Sequence, residues 1–184
     1  MSAAEIVARI VRALNQSGIP YMLVGSFSSN LYGVPRSTKD ADFVLQLQGR
    51  SINEVVTLLG QDFRLDPQMS FETITATLRY RLQHVSSAFT IEFFQLSDDP
   101  HDQARFARRV QTEFAGSPSF VPTPEDVIIT KLRWSKHGQR AKDIDDVRNV
   151  LAIQLPNLDM PYIRSWCDRH GTTALLDRLL QLPL

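Results

Sequence analysis

Cysteine is nearly missing from this chain: of its 184 residues only Cys167 is one. A disulfide framework and a cysteine-based zinc cluster are therefore both excluded. Net charge is missing as well, because 20 basic residues balance 20 acidic ones. No global field draws in nucleic acid, and a polyanion that binds must find a local patch. No apolar run is long enough to cross a bilayer. The opening "MSAAEIVARIV" lacks the charged n-region and long apolar core of a signal peptide. The histidines, His84, His101, His137 and His170, show no metal-ligand spacing and receive no role. Repeats and low-complexity segments are absent too. The expectation is a soluble, reduced, cytoplasmic protein with no membrane partner. At 43% hydrophobic the chain can bury a core, and its length fits one domain or a small domain with an appendage.

What is present reads as a mixed α/β half followed by a helical half. Apolar residues at helical spacing predict a helix over Ala3 to Gln16, stopped by Ser17-Gly18. Tyr21 to Val24 is a short apolar strand, and Phe27 to Tyr32 a short helix. Asp40 to Leu47 alternates, with Phe43 and Leu45 on one face and Asp40, Asp42 and Val44 on the other. Ser51 to Leu59 reads as a helix with Ser51 as N-cap and Glu54 completing a capping box. "LRYRLQHV" and "FTIEFFQL" form a hairpin, then His101 to Arg108 a helix, and "VQTEF" and "SFVP" a second hairpin around "AGSP". Thr123 caps a helix that opens with Pro124 and two acids. After "KHGQ" come helices over Arg140 to Ile153, Met160 to His170 and Thr173 to Leu180. The change of character near Pro122 divides the chain into residues 1–121 and a helical subdomain, 122–184, packed on it. Trp134 and Trp166 are expected in the core.

The chemistry concentrates in "YMLVGSFSSNLYGVPRSTKDADFVL", Tyr21 to Leu45. Asp40 and Asp42 lie two apart on an extended strand, so their carboxylates leave the same face. Two such charges repel, and each is costly to bury unpaired. A divalent cation removes both objections, and Mg²⁺ keeps places for water and substrate phosphates. A third acid is normally needed to hold a second ion. In "FTIEFFQL", Glu92 is the one acid among apolar neighbours on a central strand. Gly25-Ser26 supplies the phosphate side: glycine allows close backbone approach, and a strand-to-helix junction points amides at an anion.

In these residues the chain resembles the DNA polymerase β-like nucleotidyltransferase superfamily. Within it, "YGVPRSTKDADFVL", "VPTPEDVIITKLRW" and "RAKDIDDVRNVL" are similar to the AbiEii-like group, which includes toxins of type IV toxin–antitoxin systems. The likeness runs from about Ile19 to Leu151. It implies an α+β architecture, the minimal nucleotidyltransferase fold: a mixed β-sheet flanked by helices, with a C-terminal helical bundle. It further implies that Gly25 and Ser26 hold a triphosphate, and that Asp40 and Asp42 bind both ions of a two-metal Mg²⁺ site. Glu92 would complete the second ion's shell and Lys131 would face the phosphates. Asp143 would sit near Lys131, and Arg36 and Thr38 would shape the loop or touch the nucleotide. The group commonly has Asp where this chain has Glu92.

The implied reaction transfers an NMP from an NTP to a hydroxyl acceptor with release of pyrophosphate. The acceptor could be an RNA or tRNA 3′ end, a protein side chain or a small molecule, and a cognate antitoxin would be a partner. The alternative is a catalytically inactive nucleotide-binding or partner-binding protein. Arg105, Arg108 and Arg109 form one basic cluster, and Lys131, Arg133, Lys136 and Arg140 a second, together a candidate polyanion groove. Asp143 and Asp146 share a helix face with Arg140, where they can lock the helical half onto the rest by pairing with bases.

Overall fold

Ser2 and Glu5 cap each other's backbone amides and start helix α1, Ala3–Ser17. Its buried stripe of Ile6, Val7, Ile10, Val11 and Leu14 packs on the sheet, and Gly18, in the left-handed conformation, ends it. The computed structural model describes residues 1–138 and 140–182; the side chain of His137, and Gln139 in the expected break, lie outside the described residues.

Strand β1 (Tyr21–Val24) runs straight into α2 (Gly25–Tyr32), so the Gly-Ser pair belongs to the first turn of the helix. Strand β2 covers Asp40–Leu45 and stops two residues before the expected end. Helix α3 is Asn53–Leu59, shorter than expected at its start. Glu54 does accept from the Ser51 amide, but the Ser51 hydroxyl accepts from Asn53 N instead of from the Glu54 amide. The box is therefore half formed, and α3 begins without a side-chain cap.

Two strands that composition did not announce follow, β3 (Phe63–Leu65) and β4 (Ser70–Glu72). Each is three residues long and is extended only because it pairs with β5 (Thr77–His84). β5 turns back into β6 (Thr90–Gln95), as the hairpin reading expects. The main sheet has the order β1-β2-β6-β5-β3, with β4 also on β5. All its pairings are antiparallel except β2 with β6, which is parallel. Helix α4 (Pro100–Ala107) is capped by Asp99, which accepts from the His101 and Asp102 amides. The second hairpin, β7 (Val110–Phe114) and β8 (Ser117–Val121), forms a separate two-stranded sheet. Its turn is the pair Ala115-Gly116, both at positive φ, rather than the longer "AGSP".

The helical part comprises α5 (Pro124–Gly138), α6 (Ala141–Gln154), α7 (Met160–His170) and α8 (Thr173–Gln181). Thr123 Oγ1 accepts from Asp126 N at the start of α5, the cap expected there. Their apolar faces make one cluster, with Ile128, Leu132, Val147, Leu151, Ile163 and Leu176 fully buried. A second cluster lies between α1, α3 and one sheet face, around Phe43, Ile91 and Phe93. The opposite sheet face carries Asp42, Val44, Glu92 and Phe94, and α2 packs on α5 and α6 beside it. Among the described residues no helix is long and apolar enough to cross a membrane.

Candidate active site

The parallel pairing of β2 with β6 sets Asp42 directly opposite Glu92. Side chains paired this way leave the same sheet face, and neighbouring strands stand about 4.8 Å apart. Asp40 lies two residues before Asp42 and shares that face. These three acids, Gly25 and Ser26 all line one cavity of about 260 Å³, and Lys131 and Asp143 of the helical part close it from the other side. Trp134, expected in the core, is half-buried on the cavity wall, its ring edge-on to Phe94 at 6.4 Å.

Gly25 lies against the Asp42 carboxylate. Its φ is 65°, and a Cβ at this position would fall 2.0 Å from Asp42 Oδ2. Ser28 and Ser29 donate their hydroxyls to the Gly25 carbonyl. Helix α2 has no side-chain cap hydrogen bond at its start, and Gly25, Ser26 and Ser28 of its first turn line the cavity. Ser26 Oγ accepts from Arg36 Nη2 at 3.0 Å, which leaves its own proton to donate.

Burial is the main force on Asp42, and repulsion from Asp40 and Glu92 adds to it. Together they push its carboxyl up to about 7 against the pull of Lys131 and Lys142. Thr38 orients Asp40 by donating to its Oδ1 at 2.7 Å. Glu92 is held from across the hairpin: Arg79 Nη1 approaches it at 3.4 Å and Arg81 Nη2 at 3.3 Å. Among the described residues no group of three His, Cys, Asp or Glu side chains is gathered closely enough to hold a metal ion. Asp40 and Asp42 still fit a hard cation by their chemistry. They are oxygen donors on one face, and burial beside acidic neighbours disfavours the charged form of Asp42.

Lys131 faces the cavity between Asp143 Oδ1 at 2.9 Å and Asp146 Oδ2 at 2.8 Å. Arg36 does not line the cavity. Its guanidinium forks onto Asp146, Nε to Oδ1 at 2.7 Å and Nη2 to Oδ2 at 2.9 Å, while also holding Ser26. Arg36 thus shapes the loop, and Asp146 joins the two halves of the chain through it. Thr38 likewise acts through Asp40 and is not on the cavity wall.

Sequence reasoning missed a buried polar group behind the cavity. His101, about 1% exposed, stands 3.2 Å from Asp126 Oδ1, which also accepts from the Tyr162 hydroxyl at 2.8 Å. Burial, and then Arg105, lower the His101 pKa against its hydrogen bond to Asp126. Pro-Glu-Asp was visible as a helix start, but nothing local marked its aspartate as the partner of a histidine 25 residues earlier. Arg105, Arg108 and Arg109 do not form the expected groove. Arg105 binds Asp102, Arg108 lies over the Tyr162 ring, and Arg109 stacks on Phe106.

No family model matches the sequence, and no curated protein does either. Solved structures do match. ANT(2″)-Ia in complex with adenylyl-2″-tobramycin superposes with a TM-score of 0.63 at 13% identity, over 93% of this chain and 98% of that one. An antigenic nucleotidyltransferase-like protein from Paracoccidioides brasiliensis gives 0.57 at 15% identity, over 97% and 91%. The lincosamide antibiotic adenylyltransferase LnuA, lincomycin-bound, gives 0.55 at 14% identity, over 83% and 98%. The chain is similar to these in fold, and its mixed α+β architecture is that of nucleotidyltransferase-fold proteins.

Proposed function

We propose that this protein is a metal-dependent nucleotidyltransferase that moves an NMP from an NTP to a hydroxyl acceptor and releases pyrophosphate. One observation carries the reading: Asp42 pairs in register with Glu92, Asp40 shares their face, and Gly25-Ser26 abuts them in the same cavity. The nucleotidyltransferase fold of the neighbours supports it.

Each part of the cavity has a task. The amides at the start of α2 and the Ser26 hydroxyl would grip the β- and γ-phosphates. Lys131, held on the wall by two carboxylates, would share its charge with them. Asp40 and Asp42 would hold Mg²⁺, and Glu92 would complete a second ion's shell on leaving its arginines. Bound there, the metal would neutralise the triphosphate and lower the pKa of the acceptor hydroxyl. Thr38 and Arg36 position Asp40 and Ser26 without touching the nucleotide.

The acceptor classes stay those of the sequence reading: an RNA 3′ end, a protein side chain or a small molecule, as tobramycin and lincomycin are for two of the neighbours. A toxin role with a cognate antitoxin rests on the AbiEii-like motifs. The test is incubation with Mg²⁺, each labelled NTP in turn, and cell RNA, cell protein or an antibiotic panel. Transfer of label that Asp42→Ala abolishes, with circular dichroism unchanged, is the expected result. Wild-type transfer by Asp42→Ala would overturn the assignment.

The grip of Arg79 and Arg81 on Glu92 favours one second reading, a protein that binds NTP without turnover. Calorimetry showing NTP·Mg²⁺ binding, with no label moved to any acceptor, would support it.

A further inference from the structure

We infer that a second concavity, bounded by Lys136, Arg140, Thr172 and Arg178, binds a backbone phosphate of a single-stranded polynucleotide whose 3′ end reaches the carboxylate cavity. This deepens the transfer reading above and rests on it.

The cations near the site fall into two kinds. Lys131 is held by Asp143 and Asp146, Arg133 by Asp99, Arg36 by Asp146 and Arg105 by Asp102. Each of these is already paired to a carboxylate of the protein. Lys136, Lys142 and Arg178 have no carboxylate within ion-pair range among the described residues, and Arg140 has only Asp143, already shared with Lys131. Three of these four, Lys136, Arg140 and Arg178, line one concavity of about 370 Å³, and no acidic side chain lines it with them. That volume falls within the range of small-ligand sites.

Lys136 is not a loose surface amine. Its ammonium donates to the His170 carbonyl at 2.9 Å. The chain turns around it at Gly171, where a Cβ would stand 2.8 Å from Nζ. A fixed cation held by a carbonyl keeps its full charge for an incoming anion.

Arg140 makes the link, because it lines the carboxylate cavity as well as the second concavity. Lys142 lies on the cavity side of it. The basic residues therefore follow a track out of the reaction cavity, as a chain of phosphates would. A polycationic acceptor is disfavoured by the same accounting. Beyond the strand acids, the cavity carboxylates Asp102, Asp126 and Asp143 are already engaged by Arg105, His101 and Lys131.

The experiment is fluorescence anisotropy of a labelled single-stranded RNA oligomer with a free 3′ hydroxyl, titrated at several salt concentrations. Arg178 is exposed on α8, outside the reaction cavity, and Arg178→Ala should fold normally. Paired with Lys136→Ala, it should weaken binding about tenfold and lower the salt slope by about 1 to 2. NTP·Mg²⁺ affinity, read by calorimetry, should not move. Unchanged affinity and slope in the double variant would overturn the proposal, as would wild-type protein that ignores RNA at low salt. Binding that does not grow from a nucleoside monophosphate to the oligomer would refute a polynucleotide and leave a small phosphorylated ligand. Wild-type protein that binds RNA but no NTP would instead remove the transfer reading.

Discussion

Gly25 and Asp42 touch: the glycine's Cα faces the aspartate so closely that an added methyl would lie 2.0 Å from Oδ2. The contact welds the start of α2 to the carboxylate strand. It also sets the distance between the first turn of α2 and the Asp42 carboxylate.

Gly25→Ala should therefore damage both stability and transfer. The positive φ alone costs about 1 kcal/mol for a side chain with a Cβ, and relief of the clash must push Asp42 aside. Thermal melting and NTP calorimetry check this. An alanine variant with wild-type nucleotide affinity would show that the contact does not set the site.

Asp42 should make the metal-free protein less stable as pH rises. Burial and its acidic neighbours raise it to about 7, so the native state keeps a proton that the unfolded chain releases near pH 4. Between those values the native state binds more protons, and stability falls with increasing pH. Asp42→Asn should match wild type near pH 4 and melt a few degrees higher near pH 8. Added Mg²⁺ should narrow that gap by stabilising the wild type alone. Parallel melting curves across this range would mean that Asp42 ionises without penalty.

Arg36→Lys tests the latch. A lysine cannot reach Asp146 through two bonds and Ser26 through a third. Asp146 is about 2% exposed and would keep only Lys131. A loss of about 2 kcal/mol in urea unfolding is expected, with weaker nucleotide binding as Ser26 loses its partner. An unchanged midpoint would assign the pairing no structural weight.

Asp99 gives the opposite pH dependence. Burial works to raise its carboxyl, but Arg133 and the amides of Asp102 and His101 outweigh burial and hold it at about 2. Its stabilisation is full above about pH 4 and is lost as pH falls through about 2. Asp99→Asn should cost about 2 kcal/mol at neutral pH and flatten the acid limb of unfolding. An acid limb identical to the wild type's would place the titration elsewhere.

Local patterns made much of this legible. Period-2 and period-3.6 spacing, Pro124 and Gly18 mark helices and strands because the nearest few residues decide them. Asp40, Asp42 and the Gly-Ser pair were readable for the same reason, since their geometry follows from spacing along one segment. Strands β3 and β4 were not readable, because three residues carry no period and become extended only on β5.

The sequence alone, then, determined the segments and the face on which each side chain stands. It did so through steric and hydrogen-bonding preferences that act within a turn or a pleat. Only the tertiary structure decided the partners: the register that sets Glu92 opposite Asp42 on the neighbouring strand, Arg36 on Asp146 across 110 residues, Asp126 on His101. An ion pair between distant residues depends on where packing brings two charges, and burial that shifts a pKa exists only once the sheet and helices have closed around it.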